Sequence, residues 1–191
     1  MTSTQRQVVI GFDFSRSGRA ALQRAIAIAV RAPFHVLHFV CALDHVAIPA
    51  IPTHGAIDYL YAERVQLALT EEVEAELRGT AGTSSVHFCV HVRIGKPAEE
   101  LLGVARGVGA DLIIVGSRDI TSLQRLVLGS VSSQVARDAG CTVEIARPKS
   151  YPFVDLAVMT EVEPHLHYLP PHRYTYEDQR VSLRPRDWPL Y

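Results

Sequence analysis

Two segments, Val8-Val9-Ile10-Gly11-Phe12 and Leu112-Ile113-Ile114-Val115-Gly116, are apolar without interruption. A strand can carry apolar side chains on both of its sides only when both faces of its sheet are covered. A chain with two such strands, separated by segments of helical periodicity, is therefore constrained to a parallel sheet between two layers of helices. This α/β, three-layer sandwich is the fold class the sequence predicts.

The intervening segments fit that plan. Ser15 or Ser17 can cap a helix whose Leu22, Ile26 and Ala29/Val30 recur at helical spacing. His35 to Ala42 reads as strand two. After a loop with Pro49, Pro52 and Gly55, a long helix runs from about Ile57 to Arg78, with Tyr61, Val65, Leu69, Val73 and Leu77 stepping by four. Val86 to Val92 reads as strand three, and Pro97 opens a helix carrying Leu101, Leu102, Ala105 and Val108. Asp111 to Gly116 is strand four, Ser130 to about Ala139 a helix, and Thr142 to Ala146 strand five.

The order of the strands follows from their patterning. Strand three alternates, with Val86, Phe88, Val90 and Val92 on one side and His87, Cys89 and His91 on the other; strand five alternates Val143 and Ile145 with Thr142, Glu144 and Ala146. Half-polar strands suit the edges of a sheet and fully apolar ones its centre. Right-handed crossovers then favour the order 3-2-1-4-5 for this five-stranded parallel sheet. Its switch point lies between strands one and four, and ligands of such sheets bind beyond the carboxyl ends of the strands there. The candidate site is thus the crevice between Phe12-Asp13-Phe14 and the loop after Gly116.

Composition changes near residue 150. Residues 151–191 hold 6 of the 11 prolines and 7 of the 14 aromatics but none of the 12 glycines, which predicts an α/β domain over 1–150 and an extension over 151–191. That extension is expected to be an extended arm, packed on its own domain or on a partner subunit. Lys plus Arg number 19 against 20 Asp plus Glu, for a net charge of −1, which speaks against a nucleic-acid backbone binder. The longest purely apolar run, Ile26 to Val30, is far short of the roughly 20 residues of a membrane span. The first ten residues lack a signal-peptide layout, and Cys41, Cys89 and Cys141 suggest no disulfide framework. A cytoplasmic protein without membrane or nucleic-acid partners is the expectation.

The loop after strand four reads Gly116-Ser117-Arg118-Asp119, then nine residues, then Gly129-Ser130-Val131-Ser132. Gly116 lets a ligand approach the backbone. Gly129-Ser130 opens a helix whose unpaired N–H groups and positive dipole end favour an anion, and Ser130 and Ser132 add hydroxyls. Asp13, across the crevice, can accept hydrogen bonds from ribose hydroxyls, and Phe39 is placed at the end of strand two beside a base pocket. From spacing alone, Gly116 and Gly129 as turn glycines with Ser130 as a helix cap is the simpler reading.

Together, Asp13-Phe14-Ser15 after strand one, Leu37-His38-Phe39 in strand two, Gly95-Lys96-Pro97 before the third helix, and the glycine–serine loop resemble the universal stress protein family over about residues 6–147. The resemblance implies the adenine nucleotide alpha hydrolase-like fold with the 3-2-1-4-5 sheet, and a homodimer in the cytoplasm, with the C-terminal arm in reach of the partner. One branch of that family binds ATP through a Gly-x2-Gly-x9-Gly-Ser/Thr loop and another binds no nucleotide. By position, Gly116, Arg118, Asp119, Gly129, Ser130, Val131 and Ser132 match the phosphate side. Asp13, beside Phe12, matches the ribose-side carboxylate, and Phe39 and Val115 match positions flanking adenine. The function implied is a stress-response binding module, not an enzyme, that takes ATP or AMP.

Asp119 departs from the pattern, standing where the motif has its second glycine. Asp tolerates left-handed backbone better than most residues, but its charge opposes phosphate. At an effective dielectric of 20, a carboxylate about 5 Å from a phosphate charge costs roughly 3 kcal/mol, about a hundredfold in affinity. Arg118 and Arg125, or a Mg2+ bridging Asp119 to phosphate, would offset it, and AMP or a nucleoside escapes part of it. The alternative is a dimeric interaction protein of the same fold in which Asp119 blocks the phosphate loop. Strand five departs too: Glu144 places a charge where strand pairing across a dimer axis prefers apolar residues.

Metal and catalytic readings have less behind them. His87 and His91 share a face of strand three but lie about 13 Å apart, too far for one tetrahedral ion. His165, His167 and His172 could meet a metal only if the extension folds around it. No Ser or Cys stands in a recognisable nucleophile motif, so no catalytic residue is expected.

Overall fold

The computed structural model describes residues 5–32, 35–44, 51, 59–83, 85–117 and 129–148, and the short strands Tyr176–Glu177 and Arg180–Val181. In chain order the elements are β1 (Arg6–Gly11), α1 (Arg16–Arg31), β2 (His35–Leu43), α2 (Tyr59–Gly79), β3 (His87–Ile94), α3 (Pro97–Val108), β4 (Leu112–Gly116), α4 (Ser130–Asp138) and β5 (Thr142–Ala146). The chain divides into two units, Met1–Lys149 and Ser150–Tyr191. The second contributes the antiparallel pair β6 (Tyr176–Glu177) and β7 (Arg180–Val181). The arm expected over 151–191 otherwise lies outside the described residues.

Strands β1 to β5 form one parallel sheet in the order β3-β2-β1-β4-β5. The two apolar strands occupy its centre because each feeds two cores. Val8 and Ile10 of β1 and Ile114 of β4 are buried with Ala21, Leu22, Ala25 and Ile26 of α1 and Tyr61, Val65, Leu69 and Val73 of α2. Val9, Ile113 and Val115 are buried on the opposite face with Leu101, Leu102 and Ala105 of α3 and Val135 of α4. Alternation on the outer strands is used differently at the two edges. β3 turns Phe88, Val90 and Val92 to the first core and leaves His87, Cys89 and Arg93 exposed.

On β5, Glu144 does not stand as a bare edge charge, contrary to the expectation from sequence. Its carboxylate accepts from the Arg24 guanidinium of α1, so the charge is balanced on the helix-covered face. The helix ends follow local chemistry. Ser15 is the cap of α1, its Oγ accepting from Gly18 N at 3.0 Å while exchanging a hydrogen bond with Ser17 Oγ. Pro97 occupies the first turn of α3, and Gly109 closes that helix in the left-handed conformation, φ 65°. Among the described residues no helix is long and apolar enough to cross a membrane.

Candidate functional site

β1 and β4 lie side by side but send their chains to helices on opposite faces, which opens a crevice beyond their carboxyl ends. A cavity of about 290 Å³ occupies it. One wall is the β1–α1 turn, with Phe12, Asp13, Ser17 and Gly18; the other is the end of β4, Val115 to Ser117, with the start of α4, Gly129 to Ser132. Gly11 of β1, Val40 and Ala42 of β2, and Pro97 and Leu101 of α3 complete the lining.

The walls are held by backbone geometry. Phe12 N donates to Val40 O at 2.9 Å, extending the pairing one residue past β1, and Ser117 N donates to Ala146 O at 2.9 Å. At Gly116 the walls approach closely: a Cβ there would lie 2.6 Å from the backbone carbonyl carbon and oxygen of Ser17. Phe14 adopts φ 60°, an uncommon conformation for an aromatic residue. It is held there by Arg19 Nη1, which donates to its carbonyl at 3.1 Å, and by an edge-on contact with Phe12 at 5.0 Å between ring centres.

The two helix starts that face the cavity differ electrostatically. At the start of α1, Ser15 N donates to Asp13 Oδ1 at 3.1 Å and Gly18 N to Ser15 Oγ, so this helix end already has side-chain acceptors. The start of α4 has Gly129 as its cap, with no side-chain cap bond among the described residues, so the first amides of the helix take their acceptors from elsewhere. Ser132 Oγ donates to Gly129 O at 3.1 Å and is buried, which fixes the turn. Ser130 is exposed at the mouth. Asp13, exposed on the facing wall, is the only ionisable side chain among the described lining residues. The site thus sets an anion-favouring helix end opposite a carboxylate acceptor: a place for a ligand with a negative end and a hydroxyl-bearing end.

The structure brings Phe12, Asp13, Val115, Gly116, Gly129, Ser130, Val131 and Ser132 to one cavity. It does not bring Phe39 there. β2 continues to Leu43, so Phe39 lies mid-strand, fully buried, its ring edge-on to Phe88 in the core under α1 and α2. The residues of β2 that reach the crevice are Val40 and Ala42, which have the opposite parity. Arg118 and Asp119, with Arg125, lie outside the described residues. The reading from sequence missed Gly11, Ser17, Gly18, Val40, Ala42, Pro97, Leu101 and Ser117. Strand parity, with Leu37 and Phe39 apolar on one side and His38 polar on the other, was the available signal for β2. Among the described residues no three His, Cys, Asp or Glu side chains are grouped to hold a metal ion.

A model of the family described as the universal stress protein family matches residues 5–147. A universal stress protein of Methanocaldococcus jannaschii is 30% identical over 144 residues, spanning 74% of this chain and 82% of that protein. Among solved structures, a universal stress protein in complex with cAMP superposes with a TM-score of 0.52 at 25% identity, covering 75% of this chain and 98% of that one. A universal stress protein family member of Arabidopsis thaliana with AMP bound superposes with a TM-score of 0.53 at 14% identity, covering 76% and 93%, a likeness of fold.

Proposed function

Because the chain belongs to the universal stress protein family, we propose that it is a stress-response binding module whose β1/β4 crevice takes an adenine nucleotide. The observation that carries this reading is the pairing of the uncapped α4 start with Asp13 across one cavity. Phosphate sits on the amides of Gly129 to Ser132, where the helix dipole favours an anion by about 0.3–1 kcal/mol and more when partly buried. Ribose hydroxyls donate to the Asp13 carboxylate, and the base lies against Val40, Ala42, Pro97 and Leu101, a largely apolar surface. The nucleotides held by the cAMP-bound and AMP-bound relatives support an adenine ligand.

ATP and AMP are the ligands we put forward, with Mg2+ accompanying ATP to relieve the charge of Asp119. The output is conformation or partner choice in a cytoplasmic homodimer, not turnover. Equilibrium dialysis with AMP, cAMP, ATP and ATP plus Mg2+ tests the reading. Expected is a dissociation constant tighter than about 100 μM, near −5.5 kcal/mol, for at least one of them, weakened by Ser130→Trp at the mouth. Failure of every nucleotide to bind would sink it and leave the fold as a docking scaffold.

A further inference from the structure

On the face of the sheet opposite α2, His38 of β2 and His91 of β3 meet in a contact that the crevice does not use. His38, 7% exposed, places its Nδ1 3.0 Å from Nε2 of His91 and its Nε2 2.8 Å from Oε1 of Gln7 on β1. In the register His91 stands opposite Val40, two residues beyond His38, so the rings meet on the diagonal. One line of side chains thereby ties β1, β2 and the edge strand β3 together.

We propose that the His38–His91 pair is an acid-sensitive clasp on β3, which holds through one proton and opens at the second. The Gln7 carbonyl oxygen only accepts, so His38 carries a proton on Nε2 and offers a lone pair at Nδ1. His91 then donates from Nε2, and its own Nδ1 lies at the half-buried rim. A first proton enters on His91 Nδ1 and leaves both hydrogen bonds intact. A second can enter only on His38 Nδ1, where it meets the His91 Nε2–H. Two donors and two positive charges then face each other across 3.0 Å. His38 is enclosed between β1 and β3, whereas His91 is on the edge, so the strand that moves is β3.

The surroundings do not absorb that charge. No carboxylate among the described residues is bonded to either imidazole. α3 lays Leu102, Val104 and Ala105 on this face with Val9 and Val40. Its charged residues are engaged or exposed: Glu100 with Arg93 at 3.3 Å, Glu99 with Lys96 at 3.1 Å, and Arg106 in solvent. β3 carries His87, Cys89 and Arg93 in the same row, all exposed. β1 contributes Gln7, whose N–H donates to Asp111 just before β4, and Asp44 is exposed beyond the end of β2.

Burial, and then the charge of His91, holds His38 below the ordinary imidazole range; burial, and then Arg93, does the same for His91. Both folded values being lowered, the unfolded chain binds more protons. Stability is therefore full above the ordinary imidazole value of about 6.5 and is lost as pH falls below it.

The test compares the full chain at about pH 7.5 and about pH 5.0 by amide exchange and by thermal unfolding. Peptides spanning His87–Ile94, corrected for intrinsic exchange rates, lose at least tenfold more protection at the lower pH than those spanning Leu112–Gly116. His91→Gln keeps an N–H for His38 but cannot take a proton, so its melting temperature depends less on pH. Between the two conditions the wild type falls by about 3–6 °C more than His91→Gln, the shift given by a tenfold change in the folded-to-unfolded ratio, about 1.4 kcal/mol. His87→Gln, in the same row but outside the pair, keeps the wild-type slope. If His91→Gln is too unstable to melt, exchange in the wild type decides alone. A wild-type slope in His91→Gln, or β3 protection lost no more than that of β4, overturns the assignment.

Discussion

The crevice depends on Gly116 lacking a side chain, and Gly116→Ala measures how much. An added Cβ would meet the carbonyl carbon and oxygen of Ser17 at 2.6 Å and the amide nitrogen of Gly18 at 3.0 Å. All three are main-chain atoms, so no rotamer change relieves the overlap. Ordinary contact begins at 3.4 Å, so the first turn of α1 or the end of β4 must move by about 0.8 Å. The turn is not free to do so, being fixed by the Ser15 cap and by Asp13. Forcing extra atoms into a packed site costs about 1–3 kcal/mol. At the middle of that range, about 2 kcal/mol, the melting temperature of a chain this size falls by about 4–8 °C. Gly103→Ala is the control: it is interior to α3 with nothing within 4 Å of its added Cβ, so it gains about 0.5–1 kcal/mol from helix propensity. Thermal unfolding by circular dichroism reads both. If Gly116→Ala melts within about 1 °C of the parent, the two walls are not in contact and the geometry of the crevice is misread.

Two further outcomes follow from the cysteines and from the phosphate loop. Cys41 is buried in the core, and burial, with a smaller push from Asp13, raises its thiol to about 12. At pH 8 it stays protonated and reacts with a thiol reagent only as fast as the domain unfolds, whereas exposed Cys89 labels at once; comparable rates at the two sites, read by peptide mass, would refute this. Asp119→Gly removes the charge that opposes a polyphosphate, so ATP affinity in dialysis rises by up to about a hundredfold and AMP affinity by less. A fall in ATP affinity instead would mean that Asp119 attracts the ligand, through a cation.

Much of this architecture is readable before any coordinates, because burial on two faces leaves a mark that burial on one does not. Val8 to Ile10 and Ile113 to Val115 are apolar at consecutive positions, and they form the centre of the sheet. The alternation of β3 and β5 marks the edges for the same reason. The switch point then fixes where a crevice must open, and a cavity lies there. What pattern alone could not supply was reach. Phe39 was assigned to the crevice by position along the chain, but β2 runs four residues further and parity turns Phe39 into the core. Arg24 and Glu144 are 120 residues apart, and nothing local to either announces their ion pair. The pairing of His38 with His91 was equally hidden, since strand three was read against itself and not against its neighbour in register.

Phe14 is a loaded spring. A bulky residue held at φ 60° stores on the order of 1–3 kcal/mol, and the catch is Arg19, whose guanidinium grips the Phe14 carbonyl and also Glu72 on α2 at 2.8 Å. The lip of the crevice and the outer helix are thereby latched to each other. Pulling that helix away would slacken the lip, and whatever the crevice does to the lip is felt at the surface of α2.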